Sequence, residues 1–236
     1  MFDNLIVSIH QPNYLPWIGF FEKIYLSDIF VYFDNVQMPK NKSFVSRNKI
    51  LFNKKSMWLT VPINKKGIQT INEVKIIDNY WKKKHLDTIY FAYKKEKYFE
   101  ESFNKIKKVL LKDNVYIADL NIDIIEEILR ILKIQNVKII RASQLSLKQK
   151  GAESIFEILK TLNAKVYISG KGKGSLKYVN DETLKKYNIK LKFCNTNINR
   201  YTNLKAEGNE IFSILDLLFR KGVDDILKNF SNITIT

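Results

Sequence analysis

One cysteine, two histidines and four prolines are spread over 236 residues, and each scarcity excludes something. A single cysteine, Cys194, cannot close an intrachain disulfide and cannot supply the paired thiolates of a structural zinc site. Within LKFCN it reads as a half-buried strand residue, the usual station of a free thiol. The two histidines, His10 and His85, stand among scattered carboxylates with no HExxH or other ligand spacing, so no metal is expected. There is no GxSxG, and with it no hydrolase elbow. No run approaches the roughly 18 apolar residues of a membrane span. Asp3 also interrupts the start of the chain, so a cytoplasmic protein is expected. Acidic residues are in the minority, 24 against 40 basic ones, leaving a net charge of +16. That balance favours polyanionic or phosphate-bearing partners. The lysines nevertheless run from Lys23 to Lys228 without a clustered basic face, so nucleic acid is not the expected partner.

The chain is organised around LIVSIHQPNYLPWIGF, residues 5–20. Leu5, Ile6, Val7 and Ile9 form a short β-branched run that reads as a buried strand. His10 and Gln11 end it against Pro12, and Pro16 follows. A proline disfavours helical backbone in the residue before it, so Gln11 and Leu15 are expected to be extended. From Trp17 the spacing turns helical, with Trp17, Phe20, Phe21 and Ile24 on one face. The product is strand, rigid loop, helix, with polar side chains at the strand's C-terminal end, where open α/β sheets bind ligands.

IFVYF (29–33) predicts a second strand, delivering Asp34, Asn35 and Gln37 at its end. An extended segment over 44–52 carries Arg47 and Asn48; MWLTVPI (57–63) and INEVKII (71–77) predict a third and a fourth strand. From Trp81 the period becomes helical through about residue 134, with a break expected near Leu120 and Asn121. Strands at 137–141, 164–169 and 189–194 then alternate with helices at 154–162, 181–187, 212–220 and 223–230, with Gly222 as the stop between the last two. The expected fold is one α/β domain over 1–236. It has a mainly parallel Rossmann-like sheet, helices on both faces, and a helical, aromatic-rich insertion at approximately 80–135.

Two stretches carry chemistry. At the first strand's end, His10 is the candidate general base, oriented by Asp34 or Gln11, with Asn13, Tyr14 and Trp17 beside it. His85, near the apolar face of its helix, reads first as a hydrogen-bonded structural residue and second as a reserve base. The second stretch is YISGKGKGS. Ser169, Gly170, Lys171, Gly172, Lys173, Gly174 and Ser175 directly follow a strand, and glycine amides with lysine charges suit a phosphate. The spacing is neither a Walker loop nor GxGxxG, and composition alone fits a flexible basic loop as well, but the place at a strand's C-terminal end favours the phosphate reading. Tyr14, Trp17 and Tyr178 flank the two loops and could stack on a base or sugar.

These residues resemble the WbqC-like proteins of bacteria over essentially the whole chain. The resemblance rests on IHQPNYLPWIGFFEKI, DIFVYFDNVQ, SRNKI, WLTVPI, WKKKHL, ASQL, KGAESIFEILKTLNAKVYISGKGKGSLKY and FSILDLLFRKG. One departure is NTNINRYTNL (195–204), where relatives often carry a proline-rich HPxYxQ-like stretch and only Tyr201 matches. The resemblance implies surface-polysaccharide (O-antigen or capsule) biosynthesis. It further implies a tailoring transferase acting on a nucleotide-activated amino sugar, with N-acyl or N-aminoacyl transfer as the reaction. On that reading the nucleotide sugar is the partner, with Arg47 as a second cation for its pyrophosphate. Acyl-CoA or ATP is the candidate co-substrate, no resident cofactor is identified, and a homodimer is left open. The alternatives are a nucleotidylyl transferase-like enzyme using ATP and a non-enzymatic nucleic-acid-binding or scaffold protein.

Overall fold

A computed structural model of the chain describes residues 4–170, 181–197, 201 and 210–236. The β-branched run Ile6–His10 (β1) lies in the middle of a six-stranded sheet. Its parallel neighbours are Ile29–Tyr32 (β2) on one side and Val166–Ser169 (β8) on the other. Lys138–Arg141 (β7) adds outside β2, and Lys190–Asn195 (β9) outside β8, both parallel. Thr234–Ile235 (β10) closes the β9 edge antiparallel. Across the sheet the order is β10-β9-β8-β1-β2-β7, so the winding direction reverses between β1 and β8.

The period of two sorts the strand residues onto two faces. Val7, Ile9, Ile29, Val31 and Tyr167 pack with Ile155, Ile158 and Leu159 of helix Ala152–Thr161 (α5). The opposite face carries Ser8, His10, Phe30 and Tyr32 and receives helix Ile18–Tyr25 (α1). Seven of the eight α1 residues are buried, Glu22 and Lys23 among them.

Between β2 and β7 the chain leaves the sheet. It builds a hairpin of Arg47–Phe52 (β3) and Lys55–Thr60 (β4), then the short pair Ile63–Asn64 (β5) and Lys75–Ile76 (β6). Helices Tyr80–Tyr93 (α2), Phe99–Leu110 (α3) and Ile117–Ile131 (α4) follow. After α5 come Asp181–Lys186 (α6), Leu215–Arg220 (α7) and Val223–Phe230 (α8), making eight α-helices among the described residues. Gly222 takes φ +79° between α7 and α8, a value that suits glycine at a helix stop.

Three local expectations give way. INEVKII is not a strand through its length: Thr70 and Glu73 close a capping box around a 3-10 turn at Ile71–Glu73, leaving only β6 extended. α4 runs unbroken past Asn121, whose side chain is fully buried and donates Nδ2 to the carbonyls of Pro12 (2.9 Å) and Val45 (2.8 Å). Leu15, expected to be extended, sits at φ +42°, in the left-handed region. It is fully buried, and its carbonyl accepts a 2.6 Å hydrogen bond from Asn48 Nδ2, while Tyr14 N donates to Phe44 O. The surrounding contacts over-determine the strained residue.

The proline loop is thus held by two asparagine amides from the segment between β2 and β7. Asn121→Ala leaves two carbonyls without partners in a dry interior, a cost of about 1–3 kcal/mol. Urea unfolding of the variant is expected to show a midpoint lowered by that free energy divided by the slope, with the slope unchanged; a loss too small to resolve would show that the loop does not need the clamp.

Candidate functional site

β1 and β8 end side by side at the reversal of the strand order. Ser8 pairs with Ile168, so two residues on, His10 comes level with Gly170. This is the place where an open parallel sheet has a crevice, because the connections leaving adjacent strands part to opposite faces. His10, Gln11 and Gly170 are half-buried there, Asn13 is largely buried, and Ser169 is buried with its hydroxyl turned to the Gly170 carbonyl. Lys171, Gly172, Lys173, Gly174, Ser175 and Tyr178 lie outside the described residues.

His10 Nδ1 lies 2.9 Å from the Gln11 carbonyl oxygen. A carbonyl only accepts, so Nδ1 carries the proton and Nε2 keeps a lone pair. The ring packs edge-on to Phe20, centroids 5.0 Å apart. Burial, and behind it the Lys23 ammonium, push the histidine down to about 3 against the opposing Gln11 bond. The imidazole is neutral throughout the physiological range. Gln11, rather than Asp34, orients it.

Asp34 is wholly buried and engaged elsewhere. Its Oδ1 accepts Ser143 N (2.9 Å) and its Oδ2 accepts the Ser143 hydroxyl (2.6 Å), tying the end of β2 to the turn after β7. Asn35 Nδ2 reaches Ala142 O in the same region at 3.4 Å, while Gln37 is exposed and bridges to Thr70. His85 is 4% exposed; its Nδ1 accepts the Tyr14 hydroxyl at 2.8 Å and its ring lies against Trp81. Burial lowers it to about 4. Tyr14, fully buried between Trp81 and His85, has no face free for a ligand; Trp17 is half-buried. Arg47 stacks on Trp58, with its guanidinium carbon 3.9 Å from the ring centroid, and Asn48 is spent on the proline loop. Several of the polar residues singled out in the sequence therefore have structural partners, and Asn48, Tyr14 and His85 brace the proline loop.

It also misses a cluster. Glu22, 1% exposed, accepts the Tyr201 hydroxyl on Oε1 (2.6 Å) and the Thr196 hydroxyl on Oε2, with Cys194 Sγ 3.9 Å from Oε2. Lys23, 4% exposed, donates to the Ile9 carbonyl at 3.1 Å, and burial lowers its ammonium to about 8. α1 thus fixes the chain after β9 through Glu22 and places a buried cation one residue below His10. Gly19 makes room for this: a Cβ there would lie 2.4 Å from the Trp17 indole and 2.5 Å from the Thr196 hydroxyl. A signal was present in IGFFEKI. A short helix apolar nearly all round is buried, and charges within it need partners.

The motifs seen in the sequence, HQPNYLPW above all, occupy the end of β1 at the reversal, and the WbqC-like protein family matches residues 11–228. The chain belongs to the WbqC-like family. It is 28% identical over 222 residues to the uncharacterized protein Rv1507c of Mycobacterium tuberculosis, covering 92% of this chain and 94% of that one. No solved structure matches. No helix of this WbqC-like chain, among the described residues, is long and apolar enough to cross a membrane.

The buried histidines set an acid limit on stability. The unfolded chain takes up a proton at His10 near pH 6.5, and the native state does not until about pH 3. This contribution is present above pH 6.5 and is lost as pH falls toward 3. Buried Asp216, raised to about 7, works in the opposite sense: its contribution is full below about pH 4 and lost as pH rises through 7. Comparing His10→Asn with the parent isolates the histidine. The parent is expected to lose urea stability more steeply than the variant between pH 6 and pH 4, and parallel curves would contradict the buried neutral imidazole.

Proposed function

We propose that this WbqC-like chain is a transferase of surface-polysaccharide assembly that moves an acyl or aminoacyl group onto the amine of a nucleotide-linked amino sugar. The observation that carries the reading is His10 at the strand-order reversal, its Nδ1 committed to the Gln11 carbonyl and its Nε2 lone pair available. A reversal of strand order in a mostly parallel sheet is where ligands bind in open α/β folds, which supports the reading. Family membership supports the polysaccharide setting.

In this reading the nucleotide-sugar pyrophosphate lies against the amides and charges of Gly170, Lys171, Gly172, Lys173 and Gly174, the stretch that follows β8 in the sequence. The sugar lies toward Gln11, Asn13 and Trp17. The amine attacks the carbonyl carbon of the acyl donor, forming the C–N bond. His10 Nε2 takes the proton the nitrogen sheds, and the bond to the donor's leaving group, a thiolate or a phosphate, breaks as that group accepts the proton in turn. A base held near 3 is weak. Burial is the larger cause and the Lys23 ammonium the smaller; a bound diphosphate, as a nearby anion, favours the imidazolium and shifts the base upward. Asp34 and His85 act by position, Asp34 on the β2–β7 edge and His85 through Tyr14 on the proline loop.

The same strand order suits nucleotidylyl transfer from ATP, which pyrophosphate release would reveal. The direct test is His10→Ala, assayed with nucleotide-linked amino sugars and acyl-CoA or an ATP-activated acid. Turnover is expected to fall about 10²-fold or more, with the nucleotide sugar still raising the thermal midpoint. Turnover that survives the substitution would remove His10 as the base.

A further inference from the structure

The segment between β2 and β7 carries a surface that the crevice does not use. On the outer side of α2, Tyr80 is 88% exposed and Phe91 59% exposed. A groove on one flank joins them to Phe52 and Met57 of the β3–β4 hairpin. A second groove on the other flank runs between α2 and α3, past Leu86, Tyr90, Phe103 and Leu111. Ile77 and Val115 add exposed aliphatic surface near the start of the helix, where Ile76 N donates to Val115 O. Single exposed apolar side chains need no explanation, but a contiguous set on one helix and both its flanks does.

The rim is basic. Lys82, Lys83, Lys84 and Lys107 border the grooves, and Lys94 lies over the Tyr90 and Phe91 rings at 5.4 and 5.0 Å. The acidic groups there are partly answered in place: Asp87 pairs with Lys83 at 2.6 Å and Asp113 with Lys82 at 3.3 Å, while Glu100 lines the second groove. Lysines around an apolar face repel an identical copy brought up against it and attract an anionic one. A nucleic acid would use the rings but has nothing to offer Ile77, Leu111, Val115 and Met57. Acyl chains accept these residues, and aromatic rings with lysines suit the headgroup level.

We propose that the outer face of α2, with its two grooves, docks on an anionic lipid surface. Tyr80, Phe91 and Tyr90 sit at headgroup depth, and Lys83, Lys84 and Lys94 lie over lipid phosphates. Several weak basic contacts and a shallow apolar insertion give reversible, salt-sensitive attachment. The substrate crevice is formed by other elements, so attachment is independent of the transferase reading.

The test is co-sedimentation of the full chain with vesicles of phosphatidylcholine alone and of two parts phosphatidylcholine to one part phosphatidylglycerol. The chain is expected in the pellet with the mixed vesicles, released by salt, and absent from the neutral ones. Tyr80→Ser with Phe91→Ser, and separately Lys83→Glu with Lys84→Glu, are each expected to lower the bound fraction several-fold. Tyr187→Ser, at an exposed tyrosine on the far side of the sheet from α1, leaves it unchanged. These positions are exposed, and circular dichroism with an unchanged urea midpoint excludes misfolding. Binding that is equal in all variants, indifference to phosphatidylglycerol, preference for a single-stranded RNA oligomer over vesicles, or a dimer in light scattering that the Tyr80 and Phe91 changes dissolve would each overturn the proposal.

Discussion

The grip of two buried asparagine amides on a strained proline loop is the constraint from which the rest of the structure follows. Asn121 reaches from α4 to the carbonyls of Pro12 and Val45, and Asn48 reaches from β3 to that of Leu15. Helices and sheets satisfy their own backbone; a loop with two prolines and a left-handed leucine cannot, and an unmet buried carbonyl is costly. The segment between β2 and β7 supplies what is missing. This long excursion packs back on the loop after β1: Tyr14, Trp81 and His85 meet there, and the large core cluster includes residues of α2, α3 and α4.

Holding the loop fixes the histidine. Pro12 directly follows Gln11, whose carbonyl holds His10 Nδ1, so a rigid loop makes a rigid imidazole with a defined tautomer. α1 completes the setting from below, with Phe20 against the ring, Lys23 on the Ile9 carbonyl and Ser27 on Ser8. The layer between β1 and α1 is unusually polar for a sheet–helix contact. Its charged groups have partners: Lys23 donates to the Ile9 carbonyl, and Glu22 takes the Tyr201 and Thr196 hydroxyls and so ties those residues to the same helix.

Much of the fold is legible in the chain because its signals are local. The run LIVSI, the bracketing prolines and the period change at Trp17 place β1, the loop and α1, and the strands β2, β7 and β8 announce themselves by β-branched runs between turns. What depends on distant partners is not legible. Asn121 reads as a helix breaker until the carbonyls it serves are known, and Leu15 reads as extended until Asn48 is placed beneath it. Asp34 reads as a ligand-facing carboxylate, though Ser143, remote in sequence, claims both its oxygens. The run IGFFEKI tells that Glu22 and Lys23 need partners, but not that these are Thr196 and Tyr201 for Glu22 and the Ile9 carbonyl for Lys23. Tyr201 and Thr196 together hold Glu22.

The central claim is that the crevice at the end of β1 receives the nucleotide sugar against His10. The chain holds two histidines, so a ¹H–¹³C spectrum of protein labelled at histidine contains one ring signal from the crevice and one from the buried Tyr14–His85 pair. Titration with nucleotide-linked amino sugars is expected to move the His10 signals and raise its titration midpoint, leaving those of His85 in place. If neither ring responds to any nucleotide sugar, or only His85 does, the site is elsewhere.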